Sequence, residues 1–280
     1  MIDIQNQRDD RNIEIQKVGI KDIRYPITVL DRKNGTQNTV ASINMYVNLP
    51  HHFKGTHMSR FIEVLNAHRD KINLRQFGTI LEELRDNLCA QSAHLEVTFP
   101  YFIEKKAPVS GAPGLVEYTC EFVGSVGKSK DFMVGVMVPV TTLCPCSKEI
   151  SSRGSHNQRG LVSVRVWFRK FFWIEDLIQM VEESASCDVY AILKRPDEKF
   201  VTEKAYDNPT FVEDVVRNLA TRLDADSNFE GYTIEAENFE SIHNHSAYAY
   251  VEKLPVSRRA EPWDLGLMAG KRGSYVTQTP

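Results

Sequence analysis

The sequence predicts an α+β fold of two ββααββ units in tandem, each an antiparallel sheet covered on one face by two helices. Three observations predict it. Runs alternating apolar and polar residues recur in both halves of the chain, and helical stripes interrupt each set. The order strand, strand, helix, helix, strand, strand occurs twice, without evident sequence identity between the halves.

Residues 1–22 are polar and charged and read as an N-terminal arm. Ile27 to Leu30 opens the first strand, and Asn34-Gly35 turns it. Ala41, Ile43, Met45, Val47 and Leu49 then alternate with Ser42, Asn44 and Asn48, the pattern of a strand with one buried face. Met58 to His68 is a helix. Leu74 to Gln91 is a second, with Phe77, Ile80, Leu81, Leu84 and Leu88 on one stripe and Asn73 as N-cap. Strands return at Leu95 to Tyr101 and, across a Pro/Gly loop at 108–114, at Val116 to Val126. In the second half, Phe132 to Leu143 and Leu161 to Phe168 are strands. Ile174 to Ser186 and Pro209 to Ala225 are helices, the latter with Asn208 as N-cap and Pro209 at the first helical position. Tyr232 to Phe239 and Ala247 to Leu254 are the closing strands. The expected division is an arm (1–22), a first module (23–128), a second module carrying most of the active site (129–254) and a tail without clear periodicity (255–280).

The chain has 280 residues, 42% hydrophobic and 25% charged, enough to bury a core. Its net charge of -3 disfavours a nucleic-acid-coating role, because neutralising phosphates needs a basic surplus. The best apolar run, Phe132 to Leu143, is too short to span a bilayer and contains Pro139, and the first residues carry no secretory signal. The expected location is the cytoplasm. There the odd set of five cysteines argues against a disulfide framework. Cys89, Cys120 and Cys187 read as small buried hydrophobes.

Chemistry concentrates between Pro139 and Gly160, mostly a long polar loop between two strands. Cys144 and Cys146 flank Pro145, and the chain contains no CxxC, which argues against a structural four-cysteine site. Two readings stay open: an incidental thiol pair, or one thiolate that joins His156 and a carboxylate in an open metal site. Lys148, Arg153 and Arg159 are either solvated charges or a phosphate clamp. Further on, His243 and His245 are two apart and point the same way in extended chain. Glu240 shares the parity of Tyr232, Ile234 and Ala236 and would face the apolar side, where a carboxylate needs a partner. This is an acid–base cluster or a turn with two histidines. Glu213 precedes Arg217 by four residues and suits a surface ion pair, and Glu198 suits a solvated loop. His51, His52 and His57 lie in the turn that leads into the first helix.

Leu143-Cys144-Pro145-Cys146-Ser147-Lys148-Glu149-Ile150-Ser151, followed by His156-Asn157-Gln158-Arg159-Gly160, resembles the signature of type IB GTP cyclohydrolase I. Lys54 to Arg60, Lys17 to Lys21 and Lys194 to Glu198 resemble further motifs of that family, and the likeness runs from about residue 8 to about 265. It implies a tandem tunnelling fold (T-fold), a homotetramer with sites near subunit boundaries, and the hydrolysis of GTP to 7,8-dihydroneopterin triphosphate and formate, the first step towards tetrahydrofolate. The enzyme class implied is a hydrolase of C–N bonds in cyclic amidines.

By the same resemblance, one divalent metal per site (Zn, Mn, Fe or Co) is held by Cys144, His156 and Glu198, with His243 a further ligand or an acid–base group. His245 and Glu240 assist proton transfers, and Cys146 lies close enough to compete for metal or to be oxidised. Glu213 holds the guanine edge, Lys148, Arg153 and Arg159 hold the triphosphate, and His57 reaches in from the first module or a neighbouring subunit. The alternatives are a nitrile reductase-like T-fold enzyme with a cysteine nucleophile, and a non-catalytic protein that binds purine or metal in an assembly.

Overall fold

The computed structural model describes residues 5, 7–68 and 72–255. The chain forms β1 (Ile15–Asp31), β2 (Gly35–Leu49), α1 (Met58–His68), α2 (Phe77–Asn87), β3 (Ala93–Lys106) and β4 (Pro113–Val126). The second half adds β5 (Lys130–Leu143), α3 (Pro145–Ile150), β6 (Asn157–Phe168), α4 (Ile174–Glu182), β7 (Cys187–Asp188), α5 (Arg195–Asp207), α6 (Val212–Ala225), β8 (Phe229–Asn238) and β9 (Ala247–Lys253). The two units share one antiparallel sheet in the order β1-β2-β3-β4-β5-β6-β8-β9, with β7 paired to β5 off this path. The seam is the β4–β5 ladder, which runs from Thr119↔Met137 to Val126↔Lys130.

Alternate residues of each central strand face the helices. Ile43 and Met45 of β2, Val97 and Phe99 of β3, and Val136 and Val138 of β5 are buried on that face. Phe61 and Leu65 of α1, Phe77 and Leu84 of α2, Leu177 of α4 and Leu219 of α6 cover them, and the core is continuous through both modules. Among the described residues, no helix is long and apolar enough to cross a membrane.

Several boundaries differ from the sequence-based expectation. β1 begins at Ile15, inside the expected arm, and pairs Ile15↔Leu49. Its first residues belong to an edge strand with register shifts, so their polarity hides the period. α2 begins at Phe77, and Asn73 instead closes the preceding turn by accepting from the Arg75 amide at 3.0 Å. α6 begins at Val212. Asn208 is not its cap: it ends α5 and donates to the carbonyl oxygens of Ala185 (2.9 Å) and Ser186 (3.3 Å). The segment expected to be a solvated loop around Glu198 is α5, a helix that buries only Asp197 and Ala205. Cys89 is exposed just past α2, not buried. Residues 256–280 of the expected tail lie outside the described residues.

A polar brace crosses between the modules. Lys105 of β3 donates to Glu182 of α4 (2.8 Å) and Asp188 of β7 (2.7 Å), Tyr118 of β4 donates to Glu182 (2.7 Å), and Lys204 of α5 donates to Asp188 (2.8 Å). Burial pushes the Asp188 carboxyl up, but the two lysines overcome this and hold it well below the usual range. Its folded pKa is therefore depressed. The stability it contributes is complete above its unfolded value, about 3.9, and is lost as pH falls through that value toward the folded one. Asp188→Asn should lower stability by about 1–3 kcal/mol at pH 7, and the gap from the parent should close below about pH 4. Urea midpoints measured from pH 7 to pH 3 check this; a gap constant with pH counts against it.

Candidate active site

The β5–β6 ladder pairs Val134↔Val166 through Leu143↔Asn157 without a register shift. One step beyond it, the Cys144 amide donates to the His156 carbonyl at 3.1 Å. The two residues therefore stand opposite each other across the open end of the hairpin. Side chains so placed have Cβ atoms about 4.5–5.5 Å apart, a span that two bonds to one ion bridge. Both continue the even-numbered set that faces the helices, with Thr142 and Gln158 one pleat inside them.

The intervening residues are folded and not a loose loop. Cys144 caps α3, with Pro145 in its first turn, and its Sγ accepts from the Ser147 amide at 3.4 Å. The Ser155 hydroxyl donates to the Cys144 carbonyl at 2.7 Å. Cys146 is exposed on α3.

His156 is oriented from inside. Its Nδ1 lies 3.0 Å from Gln158 Oε1, and Gln158 Nε2 donates to Thr142 Oγ1 at 3.0 Å, with Gln158 and Thr142 both buried. That network assigns the proton to Nδ1 and leaves the Nε2 lone pair for a ligand. From the other side, Ser241 Oγ approaches Nδ1 at 3.4 Å. This contact, with the Phe239 amide donating to the Arg159 carbonyl at 2.9 Å, ties the start of the β8–β9 connection to β6 beside the hairpin mouth; Glu240, His243 and His245 lie in that connection. The rings of His243 and His245 stack at 5.1 Å and 18°, although residues 241–245 are a run of bends and not the extended chain expected. Both are exposed, and Glu240 is half-buried. Gly160 lets β8 come this close, because a Cβ there would lie 2.7 Å from Asn238 Oδ1.

The α5–α6 connection is tied to the same mouth: the Thr210 amide donates to the Leu143 carbonyl at 3.0 Å. That ties the residues just before α6, whose first turn carries the exposed Glu213, to the last residue of β5. Arg217 does not pair with Glu213 as expected; it meets Asp214 at 3.5 Å, which leaves Glu213 without an ion-pair partner among the described residues. Lys148 is engaged, donating to the Tyr206 carbonyl at 2.5 Å and lying 4.3 Å from the ring centroid. Arg153 is exposed in the turn after α3. The nearby Cys187 thiol is pushed up to about 11 by burial and is inert packing, as the sequence predicts.

The family described as type I GTP cyclohydrolase folE2 matches residues 1–249. A relative named GTP cyclohydrolase FolE2 from Syntrophus aciditrophicus is 68% identical over 254 residues, covering 90% of this chain and 100% of the relative. One of the same name from Syntrophobacter fumaroxidans is 59% identical over 255 residues, covering 90% and 99%. The chain belongs to the FolE2 family of type I GTP cyclohydrolases. Among solved structures, uricase from Arthrobacter globiformis superposes with a TM-score of 0.52 at 7% identity, covering 88% of this chain and 96% of that one. At that identity the likeness concerns the fold alone, the T-fold.

Not every expected residue of this FolE2 chain gathers at the mouth. Arg159 follows Gln158 in β6 and projects from the opposite face of the sheet. His57 leaves β2 at the end of the sheet where β5 starts, whereas Cys144 follows the end where β5 finishes, about 43 Å away along the strand. Within one chain His57 cannot reach the pair. Glu198 is exposed in the first turn of α5, two turns or about 10 Å before Ala205, which packs on Leu143. Among the described residues, no three His, Cys, Asp or Glu side chains converge as a metal cluster. Cys144 and His156 stand opposite each other as a thiol and an imidazole that could share one ion. Sequence reasoning missed Gln158, Thr142 and Ser241, although Gln158 and Thr142 are each two residues from a ligand candidate and share its face. Gln158→Leu should weaken divalent-metal affinity about ten- to a hundred-fold with the fold retained. Titration of the apoprotein with Co(II), read by absorbance, checks this alongside circular dichroism.

Proposed function

We propose that this chain converts GTP and water to 7,8-dihydroneopterin triphosphate and formate, the first step of tetrahydrofolate biosynthesis, in the cytoplasm. The observation that carries the proposal is the opposed pair of Cys144 and His156, with Nε2 of His156 left open by the Gln158–Thr142 relay. This donor pair suits a divalent ion. Glu198 comes in as third ligand by the resemblance alone, since the structure does not bring it to the pair, and the mixed set does not select among Zn, Mn, Fe and Co. When bound, such an ion supplies Lewis acidity and a water acidified toward neutral pH.

The remaining work falls to side chains. Glu213, at the start of α6 and without an ion-pair partner among the described residues, accepts from the guanine ring N–H and amino group, which fixes the base with C8 toward the hairpin mouth. Ring opening after addition at C8, hydrolysis of the formamide and later ring closure all need protons moved near neutral pH. His243 and His245 are the groups suited to it, with Glu240 beside them. Cys146, exposed on α3, is available to the same site. Lys148 and Arg153 flank the mouth and hold the triphosphate. Arg159 and His57 lie away from the pair in their own chain, so their part is played toward a neighbouring copy. We infer a homotetramer in which sites form near subunit boundaries, His57 being the first-module contribution.

Chelated protein given one metal at a time should recover formate release and the fluorescence of oxidised neopterin. Cys144→Ala should reduce both to background with every metal. No turnover with any metal, together with NADPH-dependent reduction of a nitrile, would establish the reductase alternative instead. Glu213→Gln should raise KM for GTP about ten- to a hundred-fold, as expected for loss of a charged hydrogen-bond acceptor. Steady-state kinetics that leave KM unchanged remove Glu213 from the guanine edge.

A further inference from the structure

Asp197 is the most completely buried carboxylate among the described residues, and it immediately precedes the exposed Glu198. Its oxygens accept four hydrogen bonds. One, from the Lys194 amide at 2.8 Å, closes the first turn of α5. The other three cross to the tip of the β3–β4 hairpin in the first module: the amides of Val109 and Ser110, each at 2.8 Å, and the Ser110 hydroxyl at 2.6 Å. Burial pushes this carboxyl up, but the Ser110 hydroxyl and the three amides overcome it and hold the group well below the usual range.

A helix needs only one such bond to start, so the other three do something else. The hairpin tip is seated closely as well. A Cβ at Gly114 would come within 3.1 Å of Ala191 and Ile192, in the segment that leads into α5. Asp197 and Ala205 are the only buried residues of α5, and its other ties, Val201 packed beside Ala205, the Lys204–Asp188 bond and the Lys148 bond to the Tyr206 carbonyl, all lie in its last two turns. Ala205 anchors its last turns on Leu143, beside Cys144, and Asp197 anchors its first turn. Between these anchors, the backbone of Glu198 is fixed while its side chain is exposed.

We propose that Asp197 is a positioning residue: by clamping the start of α5 to Val109 and Ser110, it sets the place from which the Glu198 carboxylate meets the metal. The first module thereby takes part in a site whose other ligands lie in the second. This rests on the assignment of Glu198 as third ligand.

The test uses the full-length apoprotein and Mn(II) alone, with free Mn(II) read by electron paramagnetic resonance. Variants are Asp197→Asn, Ser110→Ala, Glu198→Gln, the two double variants with Glu198→Gln, and the exposed control Glu203→Gln. Asp197→Asn should weaken Mn(II) binding about tenfold or more, Ser110→Ala a few-fold, and the control not at all. In the Glu198→Gln background, neither Asp197→Asn nor Ser110→Ala should weaken it further, because a clamp without its ligand has nothing to position. That absence of additivity is what a merely structural role would not produce. Weakening that adds fully to that of Glu198→Gln, or parent affinity in Asp197→Asn, overturns the proposal and leaves Glu198 a ligand. Parent affinity in Glu198→Gln overturns the ligand assignment and the proposal together. Should Asp197→Asn fail to fold, the Ser110→Ala cycle decides by the same criterion.

Discussion

An antiparallel ladder allows no half-measures in register, and everything at the mouth of the site follows from the one between β5 and β6. A slip by one residue would carry Cys144 or His156 to the other face of the sheet and set it against the wrong partner. What prevents the slip is burial. Val134, Val136, Val138 and Val140 of β5 and Val162, Val164 and Val166 of β6 all lie under the helix layer, and moving either strand by one residue would expose its whole set. The ten paired positions of the ladder thus act as a ruler whose zero is the hydrophobic core, and the Cys144–His156 pair lies one step past its last mark, Leu143↔Asn157.

The same ladder explains why the polar shell can be buried. Thr142 and Gln158 occupy the last helix-facing positions before the pair, where an apolar side chain would pack equally well. They satisfy each other and His156, so their burial costs little, while the imidazole is held in one tautomer. Apolar residues at these places would keep the core and leave the ring free to turn. The short α3 has a comparable part. By taking Cys144 as its cap, it fixes the direction of the sulfur from the outer side, as Gln158 fixes the imidazole from the inner side.

How much of this was legible in the sequence depends on burial, residue by residue. The alternation in β2, β3 and β5 was legible because one face of each is sealed under helices. The start of β1 was not, because an edge strand with polar residues shows no period. Helices α2, α4 and α6 carry apolar stripes and were legible to within a turn or so. Helix α5 was not, since a helix that buries only Asp197 and Ala205 leaves no stripe. Its signature lay in Lys194-Arg195-Pro196-Asp197, a proline in the first turn with an aspartate at the third position. Cys144 and His156 are twelve residues apart, a spacing with no meaning until the strands are aligned. The expected strand began at Leu161, whereas β6 begins at Asn157. Four more strand residues would have set Gln158 on the inner face and Arg159 on the outer one.

The join between the modules uses charge where hydrophobic contact would have been simpler. Lys105, Glu182 and Asp188 are each only 13–15% exposed, and such groups gain little net stability over apolar replacements. Their value lies in what they position. β7 is two residues long and pairs with β5 only at Val140 and Thr141, just short of the hairpin mouth. Two ladder positions cannot hold a segment against thermal motion. The lysines from β3 and α5 converge on Asp188 and supply the missing constraint, as Asp197 supplies it for the next turn of chain. Apolar contacts would have packed the same segment but tolerated a shift along it. Directional bonds to a buried carboxylate do not, and a site assembled from the ends of several elements depends on that intolerance.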